Sequence, residues 1–119
     1  MIPPSIPAEA AGAEWVDGCN GTGLRLYRLH GSVPAERAPT GPVLLFGHAN
    51  GFAAGSYLPW LQRLAEHMPV FAYDARGHGG SAHPGEPLAE TTHVDVLAED
   101  LALVVAAVAM AYWKLGGAP

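Results

Sequence analysis

Five consecutive residues, His48-Ala49-Asn50-Gly51-Phe52, sit between a short apolar run and a stretch with helical spacing. Small residues at such a junction let backbone N–H groups face an incoming ligand, and the start of a helix adds positive potential. Donors placed in this way stabilise the oxyanion of an acyl-transfer intermediate. The same residues equally suit a plain strand-to-helix loop in which glycine serves only the backbone. A second cluster, Asp74-Ala75-Arg76-Gly77-His78-Gly79-Gly80-Ser81, follows another apolar run. Its glycines demand a tight turn, and Asp74 and Arg76 carry opposite charges that can pair or cap it. From the residues alone this is a structural turn with exposed histidines.

Covalent chemistry would need a nucleophile with a base in reach. The serines at 5, 32, 56 and 81 supply hydroxyls, but none lies in G-x-S-x-G; around Ser81 the sequence is Gly79-Gly80-Ser81-Ala82-His83. Cys19 has no histidine beside it, so no triad can be assembled from motifs. A metal site would recruit Asp74, His78, His83 and His93. Their spacing includes no HxH, HxxxH or CxxC, so neither a metal nor a cofactor is expected. No Gly-Lys-Ser/Thr is present, and the glycines at 77, 79 and 80 do not make G-x-G-x-x-G.

The elements that would hold these loops follow from periodicity. Residues 1–13 contain Pro3, Pro4 and Pro7 and predict a flexible, unpaired tail ahead of a domain over 14–119. Glu14–Cys19 and Leu24–Leu29 flank Asn20-Gly21-Thr22-Gly23, and an Asn-Gly turn predicts a hairpin because both residues tolerate positive φ. Pro34, Pro39 and Pro42 mark an irregular connector. Val43–Phe46 and Val70–Tyr73 are unbroken apolar runs, the pattern of strands covered on both faces. Between them Tyr57, Trp60, Leu61, Leu64 and Met68 recur at helical spacing until Pro69 stops the helix. The last helix opens with Thr92 as N-cap and Asp95 in its first turn, and stops near Gly116-Gly117. Its expected core stripe is Val94, Leu97, Ala98, Leu101, Val104, Val105, Val108 and Tyr112. Strands alternating with helices predict an α/β fold: an antiparallel hairpin, then two parallel strands with two helices packed on the sheet. Ligands of such sheets sit outside the carboxyl ends of the strands, where both clusters fall.

The chain's 119 residues allow one small domain, and half of them are apolar, enough for a core. The net charge is −5 and the six basic residues are scattered, so no stripe tracks phosphates and nucleic acid is not an expected partner. The longest apolar run, Leu101–Trp113, falls short of the about 20 residues a membrane span needs. The start lacks the basic and apolar regions of a secretory leader, and the single Cys19 makes no internal disulfide. A soluble, cytoplasmic protein without membrane partners is the expectation.

Together the two clusters resemble the N-terminal part of an α/β-hydrolase of the AB hydrolase-1 type. Val43–Phe46 with His48-Ala49-Asn50-Gly51-Phe52 resembles the third strand and oxyanion-hole loop, His-Ala-Asn-Gly standing where the family carries His-Gly-x-Pro. Phe71–Ser81 is similar to the family's D-x-R-G-x-G-x-S turn after strand four, and Asp100 matches the acid often seen on the following helix. The resemblance runs from about Glu14 to the end of the chain. It implies that the Asn50 N–H is the oxyanion donor, with His48, Gly51 and Phe52 shaping the pocket. It assigns Asp74, Arg76, Gly77, His78, Gly79 and Ser81 to scaffold, with Arg76 and Asp100 tying the turn to the helix. Strand five and the nucleophile elbow would follow just beyond Pro119. The sheet is therefore expected to be truncated before strand five, and the nucleophile, acid and catalytic histidine to be absent.

Two functions are compatible with these features. One is a hydrolase fragment, inactive alone, whose complete form cleaves a small ester, epoxide or lactone. The other is a non-enzymatic module that pairs through an exposed Val43–Phe46 edge, with a second copy or another strand.

Overall fold

A computed structural model of the chain describes residues 4–31, 42–82 and 93–114. β1 (Ala11–Asp17) and β2 (Gly23–Leu29) form an antiparallel hairpin around a 3-10 turn at Cys19–Gly21. Asn20 and Gly21 both take positive φ, 56° and 74°, which is why this pair closes the turn. Trp15 lies opposite Arg25 across the hairpin, and the guanidinium stacks 4.0 Å above the indole. β3 (Leu44–Gly47) and β4 (Val70–Asp74) are parallel, and β4 also pairs antiparallel with β2. The resulting sheet has the order β1-β2-β4-β3.

Side-chain alternation along the strands sorts the core onto two faces. On one face Tyr27, Leu29, Val70 and Ala72 pack with Leu61 and Ala65 of α1 (Leu58–Ala65), joined by half-buried Leu44 and Phe46. On the other, Leu24, Leu26 and Phe71 pack with Val104 and Val108 of α2 (Val94–Lys114), joined by Val43, Leu45 and Tyr73. The sheet is thus a middle layer between α1 and α2. The parallel pair is covered on both faces, as its unbroken apolar runs require.

Three expectations need correction. Residues 4–13 are packed, not an unpaired tail: Ile6 is 1% exposed within the α1-side core, and β1 already begins at Ala11. The prolines there shape a segment that lies on the sheet, where burial of Ile6, Ala10 and Ala11 outweighs the weak local preference for strand. The stripe on α2 is narrower and rotated. Asp100, Val104 and Val108 are buried, whereas Val94, Leu97, Leu101 and Val105 are exposed. Asp100 is drawn to the sheet by an ion pair, so its own i, i+4, i+8 row faces inward and the adjoining apolar rows face out. Thr92 and the side chain of Tyr112 lie outside the described residues. Finally, the helix expected from Ser56 begins as a 3-10 turn at Ala54–Tyr57, and its α-helical part ends at Ala65, short of Pro69.

Candidate functional site

Both loops at the carboxyl ends of β3 and β4 are tied down by side chains distant in sequence, but by different means. Alternation along β4 places Asp74 on the α1 face, where it is fully buried. A buried carboxylate is tolerated only when its lone pairs are used. Its oxygens accept from Tyr27 Oη at 2.6 Å, Ser5 Oγ at 2.8 and 2.9 Å, the Ala54 N–H at 2.8 Å and the Gly80 N–H at 2.8 Å. The Ser5 N–H donates in turn to Tyr27 Oη at 2.8 Å, and the Gly55 N–H to Ser5 Oγ at 3.2 Å. Burial, and then the hydrogen bond to Asp74, push the Tyr27 phenol up to about 12. Gly79, with φ +49°, is fixed by the same carboxylate, since a Cβ there would lie 2.5 Å from the Asp74 carboxyl carbon. One side chain thus joins the N-terminal segment, β2, the start of the α1 turn and the loop after β4.

Beyond Asp74 the loop is closed by Arg76 and Ser81. Arg76 Nε donates to Asp100 Oδ2 at 2.7 Å and its second nitrogen to Asp100 Oδ1 at 2.9 Å, with both side chains buried. This bidentate geometry is the strong form of an ion pair. The pair also clamps the hairpin turn, since Arg76 donates to the Cys19 carbonyl at 3.0 Å and Asp100 accepts from the Cys19 N–H at 2.8 Å. A hydrogen bond from the thiol toward Glu99, and then burial, raise the Cys19 thiol. Ser81 Oγ donates to the Asp74 carbonyl and accepts from the Arg25 N–H at 2.8 Å. Ala82 continues along β2 with its N–H on the Gly23 carbonyl at 2.8 Å. Arg76 and Asp100 therefore tie the turn to α2, and among the described residues no hydroxyl of this loop is paired with a histidine.

The loop after β3 is more open. Ala49, Asn50, Gly51 and Phe52 are exposed, Phe52 to 55%, and Gly51 has φ +85°. Three successive backbone donors after Asn50 are occupied. Gly51 donates to His78 Nε2 at 3.1 Å, Phe52 to the Ala49 carbonyl at 3.0 Å, and Ala53 to Ser56 Oγ at 3.4 Å. The Asn50 N–H has no acceptor among the described residues. His78 is not the exposed side chain expected of its turn: His48 and His78 are both half-buried, with ring centroids 5.1 Å apart, and each binds the other's loop.

The sequence brought His48, Asn50, Gly51 and Phe52 together as one loop and Asp74 to Ser81 as another. It did not show Ser5, Tyr27 and Ala54 meeting at Asp74, because these contacts span up to 69 positions and leave no local pattern. Of the residues weighed for a metal, Asp74 and His78 face different partners, His93 is exposed and 3.6 Å from Asp95, and His83 lies outside the described residues. Among the described residues no group of three or more ligating side chains converges, and no helix is long and apolar enough to cross a membrane.

A mixed sheet ordered β1-β2-β4-β3 between α1 and α2, with both loops at one end, is the amino-terminal part of the α/β-hydrolase fold. The chain is similar to an epoxide hydrolase from Vigna radiata at 19% identity and a TM-score of 0.66, over 87% of this chain and 29% of that one. It is similar to an α/β hydrolase from Novosphingobium aromaticivorans at 20% identity and a TM-score of 0.67, over 84% and 32%. With a hydrolase from Pseudomonas aeruginosa it shares 26% identity and a TM-score of 0.63, over 82% and 32%. This chain therefore spans no more than 32% of the length of any of the three. No family model and no curated protein matches the sequence.

Proposed function

We propose that this chain supplies the oxyanion-binding side of a hydrolase that cleaves a small ester, epoxide or lactone, with the Asn50 N–H as donor. The observation that carries this reading is the unspent Asn50 N–H past the carboxyl end of β3, in a loop whose next three donors are engaged. A fixed backbone donor costs no reorganisation as negative charge develops on a substrate oxygen, and this is the source of its catalytic value. Gly51 and Phe52 border the donor, and His48 and His78 hold it. The sequence carries no G-x-S-x-G, and this reading takes the attacking group, its acid and its histidine from polypeptide outside these 119 residues. The names of the structural neighbours, epoxide hydrolases among them, support the substrate class.

The test is turnover of a p-nitrophenyl ester and of an epoxide. It is run on the 119 residues alone and on the same residues joined to the part of the Pseudomonas aeruginosa hydrolase that they do not match. The residues alone are expected to give no saturable activity, and the joined chain to be active. Asn50→Pro, which deletes the N–H, is expected to lower its kcat about 100–1000-fold. Saturable turnover by the 119 residues alone, abolished by a serine-directed inhibitor, would contradict the proposal.

One observation favours a second reading, association of two copies through β3. That strand ends the sheet order and pairs only with β4 among the described residues. An edge of this kind offers unpaired backbone groups to another strand. Light scattering across a concentration series decides it: growth of a dimer that a Leu45→Lys substitution abolishes supports association, and a monomer throughout rules it out.

A further inference from the structure

We infer that His48 and His78 form a reciprocal latch, each ring accepting a backbone N–H from the other's loop, and that this latch determines which N–H stays open for an oxyanion. The inference rests on the reading of Asn50 as donor and adds the residues that position it.

The chemistry of the partners fixes the proton on each ring. His78 Nδ1 lies 2.9 Å from the Arg76 carbonyl, which can only accept, so Nδ1 carries the proton. Its Nε2 is then a lone pair, and the Gly51 N–H donates to it at 3.1 Å. His48 repeats this arrangement in the opposite direction: Nδ1 donates to the Ala49 carbonyl at 2.8 Å, and Nε2 accepts the Ala75 N–H at 2.9 Å. Each imidazole is therefore neutral, held in one tautomer by its own loop and bonded through its free nitrogen to the other. The residues bonded across the gap are 27 positions apart in both cases. His78 occupies the neighbouring Gly51 donor, and His48, bonded to the Ala49 carbonyl, holds the peptide plane that carries the Asn50 N–H.

Protonation adds a hydrogen at Nε2 and turns the acceptor into a donor facing an N–H. That bond is lost, so acid releases the latch. The surrounding charges do not take over its role. The Asp74 carboxylate is turned to Ser5, Tyr27, Ala54 and Gly80, and the Arg76 guanidinium to Asp100 and Cys19. The Tyr73 ring lies along Gly47, and the two imidazoles face each other with centroids 5.1 Å apart.

The test is nitrogen NMR of the 119-residue chain from neutral to mildly acidic pH. Long-range imidazole spectra are expected to show the Nδ1–H tautomer for both rings at neutral pH. On acidification the Gly51 amide should shift in step with the His78 ring, and the Ala75 amide in step with His48. In His78→Gln, which offers an uncharged carbonyl acceptor, the Gly51 amide should lose its pH dependence while Ala75 keeps its own. His48→Gln should give the mirror result. An Nε2–H tautomer on either ring, or a Gly51 amide that titrates identically in His78→Gln, overturns the latch. A preserved Gly80 amide shift shows that the variant is folded. The turnover experiment with Asn50→Pro is independent of ring protonation, so the latch and the donor assignment stand or fall separately.

Discussion

After β4 the chain turns around a buried carboxylate whose bonds hold four segments of the fold together. Asp74 takes donors from Ser5, Tyr27, Ala54 and Gly80, while Arg76 closes on Asp100 with both side chains out of solvent. After β3 the chain makes an equally sharp turn with almost no buried polar group, relies on two half-buried imidazoles, and leaves the Asn50 N–H unspent. Both loops are glycine-containing and both follow parallel strands, so composition and position alone do not separate scaffold from site. The use of the backbone donors separates them. Where charges hold a loop from beneath, its partner loop can be held lightly and keep a donor unspent.

The most severe break on the scaffold side is Asp74→Ala. It strips the acceptor from Tyr27 Oη, Ser5 Oγ and two buried N–H groups, each unmet donor costing about 1–3 kcal/mol. Their sum is comparable to the whole stability of a small domain. The expected result is the absence of a cooperative thermal transition by circular dichroism. Next is Arg76→Ala, which leaves the Asp100 carboxylate buried and unpaired and should cost about 3–5 kcal/mol in urea unfolding. Replacing both partners, as Arg76→Met with Asp100→Leu, should cost far less, because no uncompensated charge remains. A double variant as unstable as the single one would show that the pair's bonds to Cys19, and not its charge balance, hold the turn.

A smaller effect is confined to alkaline pH. The Tyr27 phenol is raised from the ordinary tyrosine value of about 10 to about 12, so between those values the unfolded chain loses this proton while the folded chain keeps it. Unfolding is favoured across that window, and the stabilisation by Tyr27 is complete below it and lost through it. The stability advantage of the native chain over Tyr27→Phe should therefore shrink as pH rises from about 10 to about 12. A constant difference across that range would place the phenol outside the Asp74 network.

The division between the loops was only partly legible in the sequence. Asn20-Gly21 marked the hairpin, and the apolar runs at Val43–Phe46 and Val70–Tyr73 marked the parallel strands, because turn chemistry and two-sided burial leave local patterns. The two clusters at the strand ends were visible for the same reason. The Pro-rich start hid the packing of Ile6 and the bond from Ser5 to Asp74, since neither follows from periodicity. The apolar richness of α2 hid its orientation: Asp100, a charged residue, selects the buried row, and Leu97 and Leu101 are left outside. His78 is expected to be exposed from its turn alone, because its partner Gly51 lies 27 residues away.

The contrast between the loops is tested most directly by native-state hydrogen exchange at single amides. The account predicts that Ala54 and Gly80, bonded to the buried Asp74 carboxylate, exchange only through global unfolding. Asn50 should exchange close to its intrinsic rate, with Gly51 between these limits. Protection of Asn50 equal to that of Gly80 would mean that its N–H is spent on the fold, and would contradict its assignment as the open donor.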